Sequence, residues 1–172
     1  IATFHRYRQG KELLASDSTL GEAANFLWLI NGEKPSADME RTIDICYILH
    51  ADHGFNASTF SSRVTIATLS DVYSAITSAI GTLKGPLHGG ANEGVIKMLH
   101  AIGDLEKVDA YVEDCLTHKR KIMGIGHRVY TTLDPRAPHL KRMAQKLTNE
   151  LGEPKWIQMS ERIAELMLEK KN

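Results

Sequence analysis

Cysteine is scarce in this sequence: Cys46 and Cys115 are the only two in 172 residues. A disulfide-stapled scaffold needs more than one pair. One bridge stays open, but two reduced core thiols in a cytosolic protein is the plainer reading. Net charge is absent as well, with 21 Lys+Arg against 21 Asp+Glu. No global field therefore favours nucleic acid or an acidic membrane, although a local anion site remains compatible with this balance. Apolar runs fall well short of the ~18 residues a membrane span needs. No signal-peptide core or basic, Ser-rich leader opens the chain. It starts at Ile1 and not at Met, so a preceding segment is expected. Low-complexity tracts and internal repeats are lacking too. What is present is ordinary: 42% hydrophobic and 24% charged residues, which excludes disorder, collagen and coiled coil as descriptions. The length suits one domain or parts of two.

Helical periodicity dominates. Thr19 and Glu22 have capping-box spacing, and Leu20, Ala23, Ala24, Leu27 and Trp28 then share a face as far as Gly32. After Pro35-Ser36 a second helix carries Met39, Ile43, Cys46 and Leu49 and ends near His50. A polar loop from Asp52 to Ser58 leads to a third, around Phe60 to Leu69. Asp71 is a good N-cap for the clearest helix, in which Val72, Ala75, Ile76, Ala79, Ile80 and Leu83 form one stripe. Gly85-Pro86 breaks it. Further helices are expected over about Asn92 to Ile102, around Val108 to Leu116, through Leu140, Met143, Ala144, Leu147 and Leu151, and from Pro154 with Trp156, Ile163, Ala164 and Met167 on one side. The stretch from Ile122 to Pro138 reads as mostly loop. No segment alternates as a strand does, so the fold class is all-α, with roughly eight helices on short connections.

Three loops place histidine beside glycine and polar groups: His50-Ala51-Asp52-His53-Gly54-Phe55-Asn56-Ala57-Ser58, then Gly85-Pro86-Leu87-His88-Gly89-Gly90-Ala91-Asn92-Glu93, then Gly124-Ile125-Gly126-His127-Arg128-Val129-Tyr130 with Asp134-Pro135-Arg136. Glycine admits close backbone approach, and histidine donates hydrogen bonds or moves protons near neutral pH. Each loop alone also has an ordinary explanation. His50, Asp52 and His53 have the spacing of metal ligands, but no strong metal signature surrounds them, and a helix-end His50 bound to terminal carbonyls is simpler. His88 alone fits a structural turn as well as catalysis. Gly124-x-Gly126 lacks the preceding strand and third glycine of a dinucleotide site. His5, His100, His118 and His139 sit in surface or capping contexts.

Taken together and in this order, HADHGFNAST, GPLHGGANEGV and GIGHRVY with DPR resemble the citrate synthase family. The resemblance extends over the chain, including IATFHRYRQG and LGEAANFLWLINGEKP. It implies a multi-helical fold with residues 1–86 in the later part of a large domain and 87–172 in a small, CoA-side domain incomplete at its C-terminal end. Gly85–Gly90 would lie at the hinge between them. It implies condensation of acetyl-CoA with oxaloacetate to citrate, with a coenzyme A thioester as co-substrate and no permanently bound cofactor or metal. By resemblance His88 and His127 are catalytic: His88 hydrogen-bonds the thioester carbonyl and stabilises its enol, and His127 protonates the oxaloacetate carbonyl. His53 and Arg136 bind oxaloacetate or citrate, and the backbone of Met123, Gly124, Ile125 and Gly126 lies beneath the CoA adenine. Arg128 and its polar neighbours are candidates for the phosphates. Ile125 departs from the aromatic or small residue common in the family at that position. No motif matches the family's catalytic aspartate or its later citrate-gripping arginines, so the chain alone is expected to be catalytically impaired.

The resemblance also implies a cytoplasmic homodimer with neither nucleic acid nor membrane as partner. A 2-methylcitrate synthase using propionyl-CoA shares the same loops and is the alternative enzyme. A ligand-binding module without turnover is the alternative outside catalysis, and a plain helical interaction protein would need three accidental histidine loops.

Overall fold

The computed structural model describes residues 1–51, 54–126 and 133–170. Among the described residues the regular structure is entirely helical: α1 (Ala2–Arg8), α2 (Glu22–Asn31), α3 (Ala37–Ala51), α4 (Ala57–Ala67), α5 (Val72–Leu83), α6 (Gly90–Ile102), α7 (Val108–Thr117), α8 (Ala137–Glu150) and α9 (Lys155–Glu169), with a short 3-10 turn at Leu105–Lys107. None of these helices is long and apolar enough to cross a membrane. By internal contacts the chain forms two compact units, one of Ile1–His53 with Pro135–Glu150, the other of Gly54–Asp134 with Leu151–Asn172.

In the first unit α1 is tied to α2 by a buried arginine. Arg6 donates from Nε to the Glu12 carbonyl at 2.5 Å and from Nη1 to the Ile30 carbonyl at 3.3 Å. A guanidinium at the last turn of α2 meets carbonyls that the helix cannot satisfy itself and lies at the favourable end of its dipole. α2 ends at Gly32 in the left-handed conformation, as the sequence pattern indicates. Its start differs. The N-cap is Gly21, without a side-chain cap, and Thr19 is held instead by Asp17, whose Oδ1 accepts the Thr19 amide at 2.9 Å and hydroxyl at 2.6 Å. A charged acceptor two residues upstream outcompetes the capping box for the threonine.

Lys34 adds an ion pair to Asp17 at 3.1 Å. The Thr19 hydroxyl and amide, then Lys34, lower the Asp17 pKa from 3.8 to about 2. A depressed carboxylate contributes stability above its unfolded pKa and loses it as pH falls through the folded value. The Asp17 carboxyl carbon is therefore expected to titrate near pH 2 in an NMR titration, and to move up toward but not reach 3.8 once Thr19 and Lys34 are both replaced by Ala, because the amide at position 19 still donates to it.

α3 opens with Ser36 Oγ accepting the Met39 amide at 3.2 Å. Against it lies α8, where Lys146 meets Asp38 at 2.6 Å and Thr42 touches the Met143 sulfur. α8 starts at Ala137, so Pro138 belongs to the helix's first turn, where a missing amide costs nothing, and not to the preceding loop.

The second unit holds the larger core. Met98, Leu99 and Ile102 of α6, Val108, Val112 and Cys115 of α7, Met159, Ile163 and Leu166 of α9, and Ile122 form one buried cluster. The working face of α9 thus runs through Met159 and Leu166, while Ala164 of the expected face is exposed. Arg162 grips both Asp109 carboxylate oxygens, at 2.9 and 2.5 Å, linking α9 to α7. An ion pair this open to solvent is screened and adds little to stability. Both cysteines are free, Cys115 buried and Cys46 half-buried.

α4 and α5 pack on each other, with Ser61 Oγ and Ser78 Oγ 2.5 Å apart. Asp71 caps α5 as expected, accepting the Ser74 amide at 2.9 Å. The α5 stripe behaves differently from a core face. Ala75 is buried, but Val72, Ile76, Ile80 and Leu83 are exposed, as are Phe60 and Val64 of α4. An apolar face this regular, left open, has the composition of a contact surface.

Candidate functional site

His88 stands on the turn between α5 and α6. The Gly85 carbonyl accepts the amides of His88 at 2.9 Å and of Gly90 at 3.2 Å, and the His88 carbonyl accepts from Ala91 at 3.0 Å. The loop is thereby wound onto itself with the imidazole fixed at its crest. Gly90 is required for this. A Cβ there would stand 2.5 Å from the Lys84 carbonyl oxygen and 2.8 Å from that of Gly85. Two backbone carbonyls have no room to move aside, so only a residue without a side chain closes the turn.

Among the described residues the half-buried imidazole is partnered by Ser58, whose Oγ lies 2.9 Å from His88 Nε2. Ser58 in turn donates to Asn56 Oδ1 at 2.8 Å. Asn56 Oδ1 also accepts the Thr59 amide at 3.0 Å, making Asn56 the N-cap of α4. With its proton directed at Asn56, Ser58 presents a lone pair to His88. The neutral ring then carries its proton on Nε2 and leaves Nδ1 as an acceptor. The sequence marks Asn56 and Ser58 only as loop and predicts α4 from around Phe60, whereas α4 begins at Ala57. The signal available was the Asn-x-Ser cap pattern two residues after Gly54; the contact with His88, thirty residues away, has no local signature.

Replacing Ser58 by Ala removes that hydrogen bond, worth about 1 kcal/mol. The expected result is averaging of the His88 ring-nitrogen shifts between tautomers in a nitrogen NMR spectrum, where the unsubstituted chain shows a protonated Nε2. Unchanged shifts would mean that Ser58 does not set the tautomer.

The Met123–Gly126 segment forms a turn seated on the first half of α6. Met123 Cε lies where a Cβ on Gly94 would be 2.7 Å away, and Gly124, at φ +84°, approaches Val95 Cγ2. Met123 and Ile125 are partly buried against the core cluster. α6 therefore supports both glycine turns of the second unit, the His88 turn at its N-terminus and the Met123–Gly126 turn on its flank.

Arg136 belongs to the first unit. It is half-buried and immediately precedes α8, its carbonyl accepting the Leu140 amide at 3.1 Å. A cation at the N-terminal end of a helix faces the wrong end of the dipole, at a cost of about 0.3–1 kcal/mol. The same amides form a natural seat for an anion. His53 and His127, with Asp52 and Arg128, lie outside the described residues. His50 is bonded through Nδ1 to the Cys46 carbonyl at 2.7 Å, the helix-end role read from the sequence. His118 contacts the Asp114 carboxylate at 2.8 Å, and His100 meets Trp156 edge-on. A shallow, mostly apolar hollow of about 340 Å³ is lined by Ile96, Leu99, His100 and Trp156, none of them a residue nominated from sequence.

These features define a helical protein whose polar ligand-binding candidates stand on glycine-rich turns between helices, a pattern in which rigid helices position groups that loops present. A family model described as the citrate synthase C-terminal domain matches residues 1–172, and the chain belongs to the citrate synthase family. It is 54% identical over 171 residues to citrate synthase 2 of Bacillus subtilis, covering 99% of this chain and 46% of that protein. To 2-methylcitrate synthase 1 of Corynebacterium glutamicum it is 44% identical over 172 residues, covering 97% of this chain and 45% of that one. Among solved structures, the ternary complex of carboxymethyl coenzyme A and oxaloacetate with the Thermoplasma acidophilum citrate synthase superposes with a TM-score of 0.89 at 33% identity, over 98% of this chain and 45% of that chain. The chain thus spans less than half the length of these relatives.

Proposed function

We propose that this chain supplies the histidine loops of a citrate synthase site, at which acetyl-CoA condenses with oxaloacetate. The observation that carries the reading is His88, held by Ser58 on a turn that only glycine can close. The thioester methyl is a weak acid, and its removal as a proton leaves charge on the carbonyl oxygen. A neutral imidazole N–H held on this turn stabilises that charge. When the Ser58 hydroxyl turns from Asn56 to donate to Nε2, Nε2 gives up its proton to solvent and Nδ1 takes one from solvent, and the Nδ1–H is then offered to the oxygen. The enol carbon then attacks the oxaloacetate carbonyl carbon, a new carbon–carbon bond forms, and His127 delivers a proton to the carbonyl oxygen. Water cleaves the resulting thioester to citrate and CoA. Arg136 and His53 hold oxaloacetate, with the guanidinium fork on a carboxylate, and the Met123–Gly126 backbone lies beneath the adenine.

No residue of this sequence is assigned to the base that removes the methyl proton, and a base must reach that proton to act. Thiol release from acetyl-CoA and oxaloacetate by the 172-residue chain is accordingly expected to stay at background in a folded sample. Release abolished by His127→Ala would instead place a base among these residues. The domain reading goes with the mechanism: 1–86 in the large domain, 87–172 in the small one, with Gly85–Gly90 as hinge and closure excluding water. A second copy is the proposed occupant of the open α4–α5 face, giving a homodimer, and the proposed location is the cytoplasm.

The second reading is 2-methylcitrate synthesis from propionyl-CoA, favoured by the identity to the Corynebacterium protein. One methylene is worth about 1–3 kcal/mol of discrimination. Comparison of affinities for the acetyl and propionyl thioesters decides between the two.

A further inference from the structure

We propose that Ser61 and Ser78 are positioning residues for His88: the hydrogen bond between them sets α4 against α5 in the register that brings Ser58 to the imidazole. The inference rests on the reading of His88 as a catalytic group. The α4–α5 pair is assembled inside out. On α4 the residues that are not exposed are Ser58, Thr59, Ser61, Ser62 and Thr65, a face without one hydrophobic side chain. On α5 they are Ala75, Ser78, Ala79 and Thr82. Bulky residues such as Phe60, Val64, Ile76 and Ile80 are exposed. Ridges of large side chains ordinarily seat one helix in the grooves of another, and here that lock is missing. Small side chains allow close approach but let neighbouring registers compete, and a polar contact among them specifies one.

That contact is Ser61 Oγ to Ser78 Oγ at 2.5 Å. The neighbouring hydroxyls do not compete for it, because Thr65 and Thr82 donate within their own helices to the Ser61 and Ser78 carbonyls, each at 3.0 Å. From this point both helices lead to the candidate site. One turn back along α4 stands Ser58. One turn on along α5 stands Thr82, whose carbonyl accepts the Gly85 amide at 3.1 Å and opens the His88 turn. There Ser58 Oγ meets His88 Nε2 at 2.9 Å. A slip of α4 by one residue moves it about 1.5 Å along its axis. A contact of 2.9 Å then passes beyond the range of about 3.2 Å in which such a bond forms.

The test is the double variant Ser61→Ala/Ser78→Ala, followed by nitrogen NMR and thermal melts. Both partners go together, so no polar atom is left unpaired, and the thermal midpoint should stay within about 3 °C of the unsubstituted chain. The His88 ring-nitrogen signals, identified by their absence in His88→Gln, should nevertheless average as they do in Ser58→Ala. Ser61→Thr keeps the hydroxyl and should retain the separate signals. Unchanged His88 signals in the folded double variant, whatever its melt, would make the pair structural only and overturn the proposal. Acetyl-CoA labelled at its thioester carbonyl tests the reading of His88 separately. Binding to the unsubstituted chain should move the carbonyl resonance downfield, and the shift should be lost in His88→Gln and reduced in the double variant. No shift with the unsubstituted chain would overturn the catalytic reading and the service of the pair to it, while the nitrogen signals still decide whether the pair sets the register.

Discussion

Gly90→Ala is expected to lower the thermal midpoint of the chain by several degrees and to displace His88. Two effects oppose each other. Gly90 is the first residue of α6, and alanine in a helix gains up to about 1 kcal/mol over glycine. The new Cβ, however, would meet two backbone carbonyl oxygens at 2.5 and 2.8 Å, and overpacking against rigid atoms costs about 1–3 kcal/mol or more. Both carbonyls belong to the turn itself, so the upper end applies and the clash wins by about 2 kcal/mol. For a chain of this size that is about 4–8 °C. The Ser58–His88 hydrogen bond should be lost with it. Gly94→Ala is the control: the three atoms nearest its Cβ all belong to the Met123 side chain, Cε at 2.7 Å and Cγ at 3.3 Å, and none to the backbone, so a change below about 1 kcal/mol is expected. Circular dichroism melts of the two variants make the comparison, and equal melts would contradict the claim that the turn excludes a side chain.

Arg136→Ala is expected to abolish most oxaloacetate binding while leaving the chain folded. Removing a charge-assisted pair to a carboxylate costs about 2–5 kcal/mol. A loss of about 3 kcal/mol corresponds to roughly a hundredfold in affinity. Arg136→Lys keeps the charge and loses the planar fork, so an intermediate loss of about tenfold is expected. Calorimetry with oxaloacetate, paired with melts, separates the two roles. A large drop in stability with unchanged binding would make Arg136 a structural residue and remove it from the site.

What the sequence disclosed follows from how local each feature is. The Asp71 cap, the Gly32 terminator and the helical periods depend on neighbours within a turn, and the structure has them where the sequence places them. The Thr19–Glu22 capping box failed because an equally local competitor, Asp17, was stronger. The α5 stripe was correctly periodic, yet periodicity does not say what covers a face, and here nothing in the described chain covers most of it. Arg6 reads as one more polar residue in a polar opening; its burial depends on the Ile30 carbonyl, twenty-four residues later. The site divides the same way. The His88 turn and the Met123–Gly126 turn announce themselves through glycine, whereas Ser58 matters only because folding brings it to His88.

The most direct test of the account is a carbon NMR titration of the folded chain with oxaloacetate labelled at its ketone carbon. The account predicts binding that polarises the ketone, seen as a downfield shift of its resonance. The shift should disappear in His127→Ala, and binding itself should be lost in Arg136→Ala. A folded chain that leaves the ketone resonance in place at saturating oxaloacetate would contradict it.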